Sequence, residues 1–330
     1  MTEIKLPEKT YEATVLENYP LRRQGTLGNY LIRLRFDKLI VCHAGHFFKF
    51  IVAETETGND IKFDIISDTD DVVLLKARSE TDEFATHQPL ISRPYSIGHA
   101  ENEKNHTILT FIYKIFGPGS QRVSQMKAGD RIKVLGPLGG SIFFLPKGKK
   151  RAILVGGGVG LPPMLFLTAE LLEKGIESID LFIGATSSEG LPLSPSLQSK
   201  LASGAGGALP AIYHALANSK VHFQIATDDG SEGYHGFVTD LAARVIDSVS
   251  PDETVVYLCG PWPMIAKVAA MAKARGISCQ VCLEEMMGCG IGACQSCAVK
   301  LKSKNALGWE YGLVCRDGPV FDANDVVWEK

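Results

Sequence analysis

No apolar run in this 330-residue chain approaches the ~18–20 residues that cross a bilayer as a helix. Its opening stretch, MTEIKLPEKTYEATV, has no apolar signal core, so neither secretion nor membrane insertion is expected. Charge of one sign is also scarce. A net charge of −3 offers no general attraction to nucleic acid or to anionic lipid. The chain has no G-x-S-x-G elbow, no H-E-x-x-H pair and no Walker turn, which argues against three large hydrolase classes. Its eight histidines and Cys42 show no ligand or triad spacing, and no internal repeat is visible. Eight cysteines in so long a chain do not form a disulfide scaffold, so a reducing cytoplasm is the simpler setting. What remains is ordinary globular composition, 45% hydrophobic and 22% charged, at a length that suggests two or three domains.

The most specific stretch is residues 286–297, MMGCGIGACQSC. Cys289, Cys294 and Cys297 form C-x4-C-x2-C, and Cys315 follows after seventeen residues. This is the plant-type spacing for a 2Fe–2S cluster held by four thiolates. Gly288, Gly290 and Gly292 let the backbone wrap closely and aim N–H groups at sulfur. A structural zinc shell and four unrelated buried thiols are the alternatives. Zinc sites usually pair two short C-x2-C knuckles, and the glycine-laced loop is a poor match for that.

From about Tyr11 to Phe144 the chain reads as short strands separated by turns: YEATVL, NYLIRLRF, FFKFIVA, VVLLKA, HTILTFIYKI and DRIKVLG. Such a series predicts an antiparallel barrel or sandwich. Residues 54–71 and 78–90 are polar and acidic, and read as loops at the rim of the barrel. From Arg151 the pattern changes to strands alternating with helices, which predicts a doubly wound parallel sheet. Residues 187–211, rich in Ser, Gly, Ala and Pro, read as a mobile surface insertion. The expected division is a barrel over 1–148, an α/β domain over 149–278 and a small cysteine-rich subdomain over 279–330.

Three segments of the barrel suit a flavin nucleotide. In SRPYSIG, Arg93 can neutralise phosphate, Tyr95 can lie against a ring, and Ser96 can reach a ring nitrogen; Pro94 sits between them. An ordinary strand exit is the bland alternative. In TFIYKIFGPGS, Gly117 and Gly119 allow close backbone approach and Ser120 can donate to a phosphate. The third segment is KAGDRIKVLGPLGG, two turns around a strand.

In the α/β domain, VGGGVGLPPM places Gly156, Gly157, Gly158 and Gly160 between a strand and a helix. A dinucleotide's pyrophosphate binds in such a turn. A second strand-to-helix turn, LCGPWPM, carries Cys259, Gly260, Pro261 and Met264. Cys259 is a candidate catalytic residue beside a nicotinamide, or a buried core thiol. Asp228 in TDDG is a candidate ribose contact, or part of a plain turn. Cys279 and Cys282 alternate with apolar residues and read as spare thiols in a strand. Glu284 and Glu285 read as a solvated pair that precedes the cluster loop.

Taken together, RPYS, YK…GPGS, GDRIKVLGPLG, GGGVGLPPM, TDDGSEGYHGFVTDL, CGPWPM and the cysteine-rich tail occur in an order that resembles the ferredoxin–NADP reductase superfamily. Within it, the chain resembles the electron-transfer subunits of class B dihydroorotate dehydrogenases, and the resemblance covers Tyr11 to Val327. It implies FAD at Arg93–Ser96, Ile112, Tyr113, Lys114, Gly119 and Ser120. It also implies NAD(H) on the α/β domain and a 2Fe–2S cluster on Cys289, Cys294, Cys297 and Cys315. The implied partner is an FMN-containing, dihydroorotate-oxidising catalytic subunit, two of each chain forming a heterotetramer. The polar barrel insertions, the 187–211 segment, the long loop carrying Trp309 and His46 in place of a common Gln depart from that pattern. They leave open a related module serving NAD(P)H–ferredoxin, hydrogenase or sulfide dehydrogenase chemistry; a zinc-stabilised binding module without redox work is a third reading.

Overall fold

The computed structural model describes residues 9–22, 28–52, 63–69, 72–77, 92–193, 197–202 and 209–328. Strands β1 (Thr10–Pro20), β2 (Asn29–Phe36), β3 (Phe47–Ile51), β6 (Arg93–Glu103), β7 (His106–Lys114) and β8 (Arg131–Leu138) close into a barrel in the order β1-β2-β7-β6-β3-β8. Every neighbouring pair is antiparallel. The barrel is filled by aromatic rings: Phe50 lies 4.4 Å from Tyr95 and 5.1 Å from Phe111, and Tyr95 meets Tyr113 edge-on at 5.5 Å. Helix α1 (Pro118–Ser124) closes one end. Asn18 ties it down, donating to the Val123 and Met126 carbonyls while accepting from the Tyr113 hydroxyl.

The rim differs from expectation. Residues 63–69, read as loop, form strand β4 (Phe63–Thr69), which pairs with β5 (Val72–Ala77) in a separate two-stranded sheet. Its alternating FDIISDT pattern is a strand pattern that the acidic composition obscured. The rest of 54–71, and all of 78–90, lie outside the described residues.

The second layer is a seven-stranded sheet in the order β12-β11-β10-β9-β13-β14-β17. Its members are β9 (Arg151–Gly157), β10 (Ser178–Ala185), β11 (Val221–Thr227), β12 (Tyr234–His235), β13 (Thr254–Cys259), β14 (Ser278–Cys282) and β17 (Val320–Asp322). The first six are parallel, whereas β17 returns from the cysteine-rich tail and pairs antiparallel with β14. The run AILV in β9 is buried on both faces, as a central parallel strand requires. Ala152 and Leu154 face the core shared with α2 (Leu161–Glu173), and Ile153 and Val155 face α4 (Val238–Ile246) and α5 (Trp262–Ala274). Helix α2 ends as expected at Gly175, whose φ of +82° allows the Ile176 N–H to reach the Leu171 carbonyl.

The described residues of 187–211 are not a surface appendage. Leu191, Leu193, Leu197 and Leu209 are buried in one core with α2, flanked by the short helix α3 (Leu197–Ala202) and a 3-10 turn at Ala211–Ala217. Four leucines hidden in a Ser/Gly/Pro-rich composition supply the apolar surface that anchors it. Two side chains from the barrel fasten this segment. Arg22 Nε donates to the Leu193 carbonyl and its Nη2 pairs with Glu232 at 2.8 Å; Asn29 donates to the Gly190 carbonyl. Within the cysteine-rich tail, β15 (Ala298–Lys302) and β16 (Trp309–Leu313) form a hairpin. Among the described residues, no helix is long and apolar enough to cross a membrane.

Candidate redox and nucleotide site

Three parts of the chain converge on one cleft of about 380 Å³. The barrel contributes Arg93, Pro94, Tyr95, Ser96, Ile112, Tyr113, Lys114, Gly117, Gly119 and Ser120 to its walls. These are all ten of the residues that the sequence singled out on the barrel. Val159 comes from the glycine turn of the parallel sheet. Cys282 to Glu285 and Met287, the approach to the cysteine loop, form a further wall.

Residues from strand β6 alternate across the barrel wall, so Tyr95 is turned in while Arg93 and Pro94 are exposed along the cleft. The Tyr95 hydroxyl is buried with no hydrogen-bond partner, and burial pushes its pKa up. A buried orphan hydroxyl at a cleft wall calls for a polar ligand atom. Gly117 presents open space where a β-carbon would stand. The Ser120 hydroxyl, expected to donate to phosphate, donates instead to the Gly117 carbonyl at 3.1 Å. It also accepts from the N–H groups of Phe116 and Gly117, so its work here is to shape the turn.

Glu284 lines the cleft with an exposed side chain, and desolvation by the walls around it raises its pKa. It was read from sequence as one of a solvated pair. Only the fold reveals that both acids face the cleft.

At the parallel sheet, β9 and β13 lie side by side and parallel, but strand order reverses between them, the switch point where open α/β folds bind ligands. The two predicted turns meet there backbone to backbone. A β-carbon at Gly157 would stand 2.5 Å from Pro261 Cδ, one at Gly160 would overlap the Cys259 carbonyl, and one at Gly260 would sit 2.8 Å from the Gly157 nitrogen. Gly156 is hemmed in by Ile183 and the Gly160 carbonyl, and Met264 packs on Gly157. Only Gly158, with φ +53°, faces open space. Gly157 and Gly160 therefore serve packing between the turns, Gly156 packs within its own turn and against β10, and Gly158 lines the space a pyrophosphate would need. Asp228 is exposed at the carboxyl end of β11, its N–H donating to the Ala185 carbonyl. Cys259 does lie at the carboxyl end of β13, but it is completely buried. Its thiol is hydrogen-bonded to Cys282, its register partner on β14, and that bond together with burial raises its pKa. Cys279 and Cys282 lie in a strand, as read.

The four cysteines of the tail stand in two pairs. The Cys289 N–H points at Cys294 Sγ at 3.3 Å, and the Cys294 N–H points back at Cys289 Sγ at 3.4 Å. The Cys315 N–H points at Cys297 Sγ at 3.5 Å. Gly292, with φ +83°, aims its N–H at Cys315 Sγ at 3.2 Å, joining the pairs. Two pairs of thiols suit two irons with two protein ligands each. Hydrogen bonding from Ser296 lowers the Cys294 pKa to about 6, and burial beside Cys297 raises that of Cys315.

Sequence reading also passed over Lys49. Its ammonium donates to the Met287 carbonyl at 3.4 Å and to that of Gly288, bridging the barrel and the cysteine loop.

A flavin-type barrel, a nucleotide-type sheet and a four-cysteine loop sharing one cleft define a reductase of the ferredoxin–NADP reductase type with an added iron–sulfur unit. The family model described as the iron–sulfur cluster binding domain of dihydroorotate dehydrogenase B matches residues 284–327, and that of the oxidoreductase NAD-binding domain matches residues 154–270. The electron transfer subunit of dihydroorotate dehydrogenase B (NAD+) from Shouchella clausii is 34% identical over 285 residues, covering 84% of this chain and 96% of that one. Its counterpart from Caldanaerobacter subterraneus is 35% identical over 238 residues, covering 72% and 81%. The chain belongs to this family of electron transfer subunits. A solved NADH-dependent reduced ferredoxin–NADP oxidoreductase chain superposes with a TM-score of 0.65 at 18% identity, covering 96% of this chain and 90% of that one. At that identity the likeness concerns the fold alone.

Proposed function

We propose that this chain carries electrons from a dihydroorotate-oxidising, FMN-containing partner subunit to NAD+, through a 2Fe–2S cluster on Cys289, Cys294, Cys297 and Cys315 and an FAD on the barrel. The observation that carries this reading is the shared cleft: the barrel segments, the nucleotide turn and the cysteine loop all reach it. Bound there, flavin supplies the exchange between two-electron hydride chemistry and the single electrons of an iron–sulfur centre. The protein's own part is positional. Arg93 offers an unpaired guanidinium for a phosphate, Tyr95 offers its orphan hydroxyl, and the Gly158 turn leaves room for a dinucleotide at the sheet's switch point. Asp228 is assigned to the ribose and Cys259 to the floor beneath the nicotinamide, at the carboxyl ends of neighbouring parts of the same sheet. The oxidation of dihydroorotate itself is assigned to the partner.

The three units are assigned as barrel, α/β domain and cluster subdomain. The last boundary is placed just after Cys282 rather than at residue 279, because Ser278–Cys282 is a strand of the parallel sheet. The partner's docking face is assigned to the cluster end, where Met286, Leu307 and Tyr311 are exposed; the assembly would be a heterotetramer with two copies of each chain. All eight cysteines are free thiols, which suits the cytoplasm.

The test is anaerobic co-expression with the dihydroorotate-oxidising subunit of the same organism, followed by a dihydroorotate:NAD+ assay. Turnover with both chains, and none with either alone, is the expected result. Flavin and iron in the purified chain with no turnover beside that subunit would assign the module to another electron donor. A colourless, zinc-containing protein would end the redox reading.

A further inference from the structure

Lys49 stands in β3 between Phe48 and Phe50, and it is wholly buried. Its register partner in the barrel is Pro94, in the middle of the Arg93–Ser96 segment. Its side chain leaves the barrel for the cysteine loop. The stem passes so near Gly290 that a β-carbon there would overlap it, and Nζ donates to the carbonyls of Met287 and Gly288. Among the described residues no carboxylate pairs with it. An ammonium taken out of water with only carbonyl partners costs several kcal/mol, so an apolar strand retains one only where negative charge compensates. Burial works against its charge and lowers its pKa; the cysteine thiols of Cys289, Cys294 and Cys315 act the other way, and Arg93 adds a smaller opposition. It thus stands between the barrel segment that faces the cleft and the four cysteines, in contact with the loop that carries three of them.

We propose that Lys49 is a positioning residue for electron transfer: it holds the cysteine loop through the Met287 and Gly288 carbonyls, and its fixed positive charge favours one-electron reduction of the iron–sulfur group on that loop. The proposal rests on the 2Fe–2S reading above. Uptake of one electron adds one negative charge to the loop, and an unscreened cation held nearby in a low-dielectric setting offsets part of it. Gly290 belongs to the same device. With φ +81° and no β-carbon, it leaves the channel through which the lysine stem passes.

The experiment is an EPR-monitored reductive titration of the purified holo-chain, comparing wild type with Lys49→Gln and Lys49→Arg, with iron and flavin content measured in parallel. In Lys49→Gln the iron–sulfur signal is expected to persist while its reduction equilibrium becomes roughly tenfold less favourable, which is ~59 mV for one electron. Lys49→Arg should stay within about twofold of wild type. An unchanged potential in Lys49→Gln, or an equal shift in both variants, overturns the proposal. If Lys49→Gln loses iron, full iron and a wild-type potential in Lys49→Arg support the charge as what holds the loop. Iron loss in both, with flavin retained, reduces Lys49 to packing and overturns it. Absence of any 2Fe–2S signal in wild type would defeat the underlying reading instead.

Discussion

Gly140 lies so close to Arg316 that a β-carbon on the glycine would overlap the arginine's carbonyl oxygen. The contact joins the turn after β8 to the residue that follows Cys315. It continues in the Gly140 and Ser141 N–H groups, which donate to the Gly318 carbonyl at 2.6 and 2.9 Å, and in the Ser141 hydroxyl, which donates to the Val320 carbonyl. Through it the fourth cysteine is registered on the barrel, not only on its own loop. The GPLGG turn, legible in sequence only as a turn, is therefore an interface between units.

Gly140→Ala should disturb this seat, at the point where the tail leads into β17. Separation of the two backbones is expected to cost ~3 kcal/mol, at the upper end for a single substitution. The readout is iron per chain against flavin per chain, with iron falling and flavin retained. Equal loss of both would mean the contact supports the whole fold rather than the cysteine loop.

Tyr95→Phe separates the metal-free fold from the cleft's ligand. Removing a buried hydroxyl that has no partner is expected to leave the flavin-free chain equally stable, or up to ~1 kcal/mol more stable. FAD affinity should fall by about tenfold, as measured by equilibrium dialysis or fluorescence. A large loss of flavin-free stability would show that the hydroxyl already has a partner.

Gly158→Val tests the nucleotide turn. Its φ of +53° disfavours a β-branched residue, and the added side chain would enter the open space over the turn. KM for NADH in a dye-reduction assay should rise at least ~10-fold, with flavin and iron content unchanged. An unaltered KM would move the pyrophosphate elsewhere.

His46 gives the fold an acid sensitivity. Burial lowers its pKa to about 4, with smaller contributions from His43 and Lys9. Its Nδ1 accepts from the His43 N–H at 3.0 Å, which requires the neutral ring. An unfolded histidine takes up its proton near pH 6.5. The stabilisation is therefore complete above that pH and lost progressively as pH falls toward 4, on the order of 2 kcal/mol after allowing for partial exposure. In His46→Gln, thermal melts should show a shallower loss of Tm between pH 6.5 and 4. Parallel curves would assign the acid sensitivity to another group.

The cysteine loop was legible because its constraint is local. Close wrapping needs ligands at short fixed spacings with glycine between them, and residues 289–297 write both into one stretch. The alternation of strands and helices after Arg151 was legible for a similar reason, since periodicity and end signals act within an element. Residues 187–211 misled because composition is averaged over a stretch, whereas burial is decided by a few side chains, here Leu191, Leu193, Leu197 and Leu209.

Ligand spacing, strand and helix pattern and motif order were thus determined by the sequence itself, because each depends on neighbours along the chain. The tertiary structure alone decided the partners across it. Lys49 looks like any outward lysine of an alternating strand until the barrel brings it under Gly288 and Gly290. Glu284 reads only as an acid ahead of the cysteine loop until the fold sets it on the wall of the cleft. Gly157 and Gly160 look like phosphate glycines until the Cys259–Met264 turn is found packed against them. Burial and contact across the chain depend on which segments fold together, and no local pattern encodes that.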